Sequence, residues 1–223
     1  AAAKRGAFGH GVDLDPERIR EARDNAQKAD VSEKIMFLKE DIFKTDISRA
    51  TVITMYLLST VNEDLRPRLL GELEPGTRIV SHNFGMGIWE PDKHLILGDS
   101  YMDKDELSLD EQLKVLDHEI YLWIVPAKIE GRWTWQNDGR QFDLQVEQNF
   151  QKFHATLTTG QDTLILSNKQ LKGKSFSFTA SNAHLGNHYA FSGQVKGKKI
   201  IGNLQIRKNK KHIIKKWEAE KID

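Results

Sequence analysis

The stretch Gly11–Ala29 limits the fold more than any other in this chain. Gly11-Val12-Asp13 reads as the end of a short strand, and the chain turns at once into a helix. Asp15 is placed to cap that helix by accepting from its free N–H groups. Pro16 stands at the first helical position, where a missing N–H costs nothing. Ile19, Ala22, Ala26 and Ala29 then recur at helical spacing as one apolar face. A strand that ends in an acid and runs into a helix is half of a βαβ nucleotide-binding unit, in which the acid can accept both hydroxyls of a ribose. The plainer reading of Asp13 is a solvated acid in a loop, and the stretch by itself does not choose between them.

The segments that follow continue the same architecture. Ile35-Met36-Phe37-Leu38 is apolar on both faces, as in a parallel strand covered by helices on each side. Ala50–Leu58 reads as a longer strand rich in β-branched residues. Asn62–Leu73 reads as a helix in which Pro67 limits or bends the first part. Glu74-Pro75-Gly76 is a turn, and Thr77–His82 is a further strand. The order strand–helix–strand–strand–helix–strand predicts a parallel α/β sheet. His94–Gly98 and Glu119–Val125, joined by a polar loop from Met102 to Lys114, are expected to close it as an antiparallel pair.

Beyond Pro126 the hydrophobic period becomes two. Phe142, Leu144 and Val146 alternate with polar residues, as do Phe176 and Phe178, then Tyr189 and Phe191, then Leu204 and Ile206. Leu171-Lys172-Gly173-Lys174 and Val195-Lys196-Gly197-Lys198 read as one hairpin repeated. Short strands with regular turns predict an antiparallel sandwich or small barrel. Trp133, Trp135 and Trp217 are expected to pack in its core, with ligand binding the less favoured role. Charge divides at the same place. The net charge of +1 is the sum of −8 over residues 1–126 (16 Lys and Arg against 24 Asp and Glu) and +9 over 127–223 (17 against 8). We therefore expect two domains, 1–126 and 127–223. A solvated surface is the default reading of the basic half.

Composition removes several chemistries. With no cysteine there is no disulfide framework, thiolate metal site or cysteine nucleophile. The eight histidines do not fall at metal-ligand spacings, so no metal is indicated. No apolar run approaches the roughly 18 residues needed to span a membrane. No P-loop or Gly-x-Ser-x-Gly elbow is present. The opening Ala1–Gly6 reads as the last turn of a helix without an initiator Met. The natural N-terminus is expected to be missing, so a missing targeting segment carries no information. The expected compartment is the cytoplasm.

In an open α/β sheet, ligands bind outside the carboxyl ends of the strands. That nominates Asp13-Leu14, Asp41-Ile42, Thr54-Met55-Tyr56 and His82-Asn83. Asp13 would hold a ribose, Asp41 would accept from an adenine amino group with Ile42 on the ring, and Tyr56 would stand nearer the reacting end. Tyr56 also admits a plain reading as an aromatic strand end, and His82 as a satisfied structural histidine.

Gly11–Ile19, Glu40-Asp41-Ile42-Phe43, Ala50–Leu58 continuing to Val61-Asn62, Leu65–Leu70, Leu73–His82 and Ile120–Val125 together resemble class I S-adenosylmethionine-dependent methyltransferases. They are closer still to the broad-specificity protein-lysine methyltransferases of archaea and their bacterial relatives. The resemblance covers roughly residues 1–126. It implies a Rossmann-like methyltransferase sheet, S-adenosylmethionine as cofactor, and protein lysine side chains as acceptors. It also implies cofactor-binding residues Asp13, Leu14, Asp41, Ile42 and Thr54, with Tyr56 as the catalytic residue at the mouth for the amine. In-line attack by a neutral amine needs mainly positioning and an aromatic or carbonyl-lined entrance. The family's first strand and its glycine-rich loop have no counterpart here, so cofactor binding by this chain is in question. The archaeal enzymes end near the position of Val125, and the resemblance leaves the basic β domain unexplained.

Two other classes compete. A nicotinamide dinucleotide domain also has an acid ending its second strand. Asp41 and the antiparallel finish favour the methyltransferase. Alternatively the α/β half is a scaffold and the basic β domain binds an acidic partner, with affinity falling steeply in salt. The run Arg207–Lys216 has no interleaved aromatics before Trp217, so specific nucleic-acid recognition is not expected.

Overall fold

The computed structural model describes residues 2–97, 118–182, 186–208 and 211–222. The expected loop from Met102 to Lys114 lies outside them. By its contacts the chain forms two units, Ala1–Ile47 and Ser48–Asp223.

The first unit opens with a 3-10 turn, Ala3–Arg5, closed by Gly6 at φ 96°, the helix-end signature expected of Ala1–Gly6. Strand β1 (Gly9–Asp13) leads into helix α1 (Pro16–Lys28), and β2 (Ile35–Lys39) lies parallel to β1. The cap forms as expected: Asp15 Oδ1 accepts from the Glu17 N–H at 2.8 Å, and Pro16 takes the first helical position. Ile19 and Ala26 are buried, while Ala22 and Ala29 are half-buried. Gly11 faces Phe37 in the β1–β2 register, and a Cβ there would lie 2.6 Å from the Phe37 ring. A side chain at this position would force the Phe37 ring to move. Met36, expected under a helix, is 54% exposed. α1 packs on these strands and leaves that side of β2 uncovered.

In the second unit, β3 (Val52–Met55), α2 (Ser59–Glu72), β4 (Arg78–His82), β5 (Lys93–Leu97) and β6 (His118–Ile124) build a four-stranded sheet in the order β3-β4-β6-β5. β3 and β4 are parallel, and β6 is antiparallel to both β4 and β5. This is the antiparallel finish anticipated above. β1–β2 and β3-β4-β6-β5 are separate sheets, and no strand among the described residues joins them. The strand expected over Ala50–Leu58 is shorter because β4 supplies partners for Val52–Met55 alone. The following residues lead into α2, which starts three residues before the expected Asn62. Pro67 is accommodated inside that helix.

The remaining strands are β7 (Gly131–Asn137), β8 (Arg140–Asn149), β9 (Lys152–Thr159), β10 (Asp162–Lys172), β11 (Ser175–Asn182), β12 (Asn187–Lys196), β13 (Lys199–Lys208) and β14 (Lys211–Lys221). Each pairs with its sequence neighbour, and β14 closes on β7, so the expected sandwich or barrel is a closed eight-stranded barrel. The inward alternation carries Trp133, Trp135, Phe142, Phe178, Phe191 and Trp217, all buried, so the tryptophans are core residues. Gly173 and Gly197 open the two repeated hairpin turns at φ 57° and 58°, the left-handed conformation that such two-residue loops demand.

The barrel and the four-stranded sheet are joined by specific contacts. The Trp89 indole stacks on Phe150 and its N–H donates to Gln151 Oε1 at 2.8 Å. The Trp123 indole N–H donates to the Trp89 carbonyl at 2.8 Å. Gly173 approaches Gly76 so closely that a Cβ would lie 2.9 Å from its Cα.

Candidate functional site

The acid at the end of β1 is held by its own turn. Asp13 Oδ1 accepts from the Asp15 N–H at 2.8 Å, which holds the exposed carboxylate in place. Leu14 is 65% exposed beside it. At the end of β2, Asp41 Oδ1 accepts from the Phe43 N–H at 3.0 Å, and its carbonyl accepts from the Lys44 and Thr45 N–H groups. Ile42 is half-buried in this turn. Asp13, Leu14, Asp41 and Ile42 thus stand at the carboxyl ends of two parallel neighbours, where such sheets receive a ligand.

Thr54 and Tyr56 lie in the second unit. Thr54 pairs with Val80 in the register of β3 and β4. Tyr56 follows the last residue of β3 and is 72% exposed. Its ring lies 5.0 Å from the His82 ring at the end of β4. His82 Nε2 is 2.8 Å from His118 Nδ1 at the start of β6, with ring centroids 4.9 Å apart. His82 is therefore hydrogen-bonded, and its partner is another titratable ring. His118 was not singled out in the sequence.

The next residue outlines the loop beyond β4. Asn83 adopts φ 60°, a left-handed conformation that asparagine tolerates. Its N–H donates to the Glu119 carbonyl at 2.7 Å, and its Oδ1 accepts from the Glu119 N–H at 2.8 Å. Buried Asn62 of α2 donates to Ser81 Oγ and to the Phe84 and Gly85 carbonyls. Arg66 donates to the Met86 carbonyl at 2.6 Å. Helix α2 thereby fixes the loop that leaves the His82 strand end.

Strand residues alternate faces, so Glu119 and Tyr121 point away from His118. The Tyr121 hydroxyl donates to Glu119 Oε2, and the His94 ring lies 3.0 Å from the same oxygen. The Tyr121 bond, then the His94 contact, hold the Glu119 carboxyl below its ordinary range. The same bond pushes the Tyr121 phenol up. Among the described residues no group of three or more His, Cys, Asp or Glu is placed to hold a metal.

Residues 1–93 match the ANTKMT methyltransferase domain. A protein-lysine N-methyltransferase of Saccharolobus islandicus (strain REY15A) is 40% identical over 115 residues, which is 52% of this chain and 63% of that relative. The adenine nucleotide translocase lysine N-methyltransferase of Mus musculus is 28% identical over 81 residues, 36% of this chain and 35% of its own length. The chain thus spans less than two thirds of either. The crystal structure of an RNA methyltransferase from Salinibacter ruber, in complex with S-adenosyl-L-homocysteine, is 39% identical, covers 57% of this chain and 72% of its own, and has a TM-score of 0.45. The α/β part of this chain is thus similar to S-adenosylmethionine-dependent methyltransferases. Within that class, its match is to the ANTKMT methyltransferase domain.

Proposed function

We propose that this protein transfers a methyl group from S-adenosylmethionine to lysine side chains of protein substrates. The observation that carries the reading is the acid ending β1, fixed by its own helix cap. The fixed carboxylate of Asp13 suits the paired hydroxyls of a ribose, and the Asp41-Ile42 turn offers an acceptor and an apolar surface for an adenine. These residues fit the nucleoside part of the cofactor, with Leu14 beside it. The bound cofactor supplies an electrophilic sulfonium methyl. Tyr56 presents an exposed aromatic ring at a strand end, suited to guide a cationic or neutral amine. The two lysine methyltransferase relatives support an amine acceptor.

The test is incubation of the chain with methyl-labelled S-adenosylmethionine and a protein extract, with Asp13→Ala as control. Label on lysine, lost in the variant, is the expected result. Binding of S-adenosylhomocysteine without label on lysine would move the acceptor elsewhere. Neither binding nor transfer would refute the reading.

A further inference from the structure

We propose that His82 and His118 form a one-proton acceptor that relieves a substrate ammonium of its proton before methyl transfer. The inference rests on the amine-methylation reading and adds a base to it. A protonated lysine has no lone pair, so attack must follow the loss of one proton to some acceptor.

The geometry defines what this pair can hold. At 2.8 Å, one of His82 Nε2 and His118 Nδ1 must donate and the other accept. Two neutral imidazoles satisfy that bond, and so does a pair with one added proton. A pair with both rings charged has no acceptor left between them and must separate. The dyad therefore takes a single proton while remaining intact, and shares the resulting charge between two hydrogen-bonded rings tilted by 30°. His118 is exposed, which gives the proton a way out to water. Tyr56 lies over His82 from the adjoining strand end, so an amine guided along that ring arrives beside the acceptor. In the step, an N–H bond of the ammonium breaks, its electron pair stays on the amine nitrogen, and the proton bonds to the free ring nitrogen of the dyad.

The neighbouring charges leave this role to the pair. Among the described residues, Tyr56 is the titratable group adjacent on the same face, and Arg78 and Lys93 stand at the opposite ends of their strands. Glu119, Tyr121 and His94 bond one another on the other face of β6. Among the described residues no carboxylate is paired with either ring of the dyad.

Two measurements on the full chain test this. The first is nitrogen-15 NMR of the imidazoles through a pH titration. The expected result is one proton taken up jointly by His82 and His118, and in His118→Gln a His82 ring that titrates alone. Two independent titrations in the wild-type chain would overturn the dyad. The second is the pH profile of methyl transfer to a lysine peptide. Near neutral pH, His82→Gln and His118→Gln are expected to lose roughly a hundredfold, the lower end of general-base contributions. At about pH 10, where lysine sheds its proton unaided, they are expected to recover to within about twofold. An equal loss at every pH, or no loss, would overturn the base assignment. Absence of transfer by the wild-type chain would refute the methylation reading, and this assignment with it, whatever the NMR result for the pair.

Discussion

Gly202→Ala is expected to be the most damaging single-methyl change in the barrel. Gly202 of β13 lies opposite Gly193 of β12 and Trp217 of β14 in one register row. An alanine Cβ there would lie 1.8 Å from the Ser192 carbonyl oxygen and 2.4 Å from Gly193 Cα. To reach even 3.0 Å the carbonyl must retreat by about 1.2 Å, and both neighbours are backbone, with no flexible side-chain end to swing away. That retreat disturbs the β12–β13 ladder on either side and the bond from the Trp217 indole to the Ser192 carbonyl at 3.0 Å. Two or three hydrogen bonds at about 1 kcal/mol each, plus about 1–3 kcal/mol for overpacking, give roughly 3–6 kcal/mol. A domain of this kind holds about 5–15 kcal/mol in all, so the variant should sit near the edge of folding. Urea unfolding followed by tryptophan emission measures the difference directly, because Trp217 reports on the strained row. Gly197→Ala is the comparison. It has open space around its Cβ but a φ of 58°, so it pays left-handed strain alone, about 1–2 kcal/mol. A Gly202→Ala midpoint no lower than that of Gly197→Ala would refute the close-approach reasoning.

Asp15→Ala removes the acceptor for the Glu17 N–H and should cost α1 about 1 kcal/mol, read as faster amide exchange in its first turn; unchanged protection would count against the cap. Burial pushes the Asp92 carboxyl up, against the opposing Ile124 N–H and Lys172. The stability tied to a raised carboxyl is complete below the ordinary carboxyl range and falls as pH rises through the raised value. Asp92→Asn keeps an acceptor for the Ile124 N–H and cannot ionise, so its urea midpoint should gain on wild type between acid and neutral pH; a pH-independent difference would oppose this. Glu119 has the opposite sign: its contribution is present above the ordinary carboxyl range and is lost as pH falls through the lowered value. In Tyr121→Phe the Glu119 carboxyl should titrate higher, as read by carbon-13 NMR, and an unmoved titration would exclude the phenol as its main partner.

The parts legible in the sequence are those governed by near neighbours. Asp15 and Pro16 announce the start of α1 because capping acts within three residues. The Lys-Gly-Lys turns announce β10–β11 and β12–β13 because a two-residue loop needs a left-handed glycine. Tyr56-Leu57-Leu58 misled the strand assignment because apolar composition does not reveal where the neighbouring strand stops offering partners. The split between β1–β2 and the four-stranded sheet is likewise a fact about pairing. His118 escaped notice for a related reason. Its partner stands 36 residues earlier, and no local period links a strand end to a strand start across that distance. Sandwich and barrel were indistinguishable because they differ by whether β14 finds β7.

That closure has a kinetic consequence. Every other pairing in the barrel joins strands separated by one turn, which forms quickly and at small entropic cost. β14 and β7 share just two register pairs, Glu220↔Thr134 and Lys221↔Trp133, extended by the Ile222 N–H to the Arg132 carbonyl at 2.9 Å. Seven hairpins can zip in succession and bring the two ends within reach, so the longest loop is closed after its cost has been reduced. The barrel should therefore close late and breathe first along this one line. Of all its walls, this seam sets how long the tryptophan core stays sealed from water.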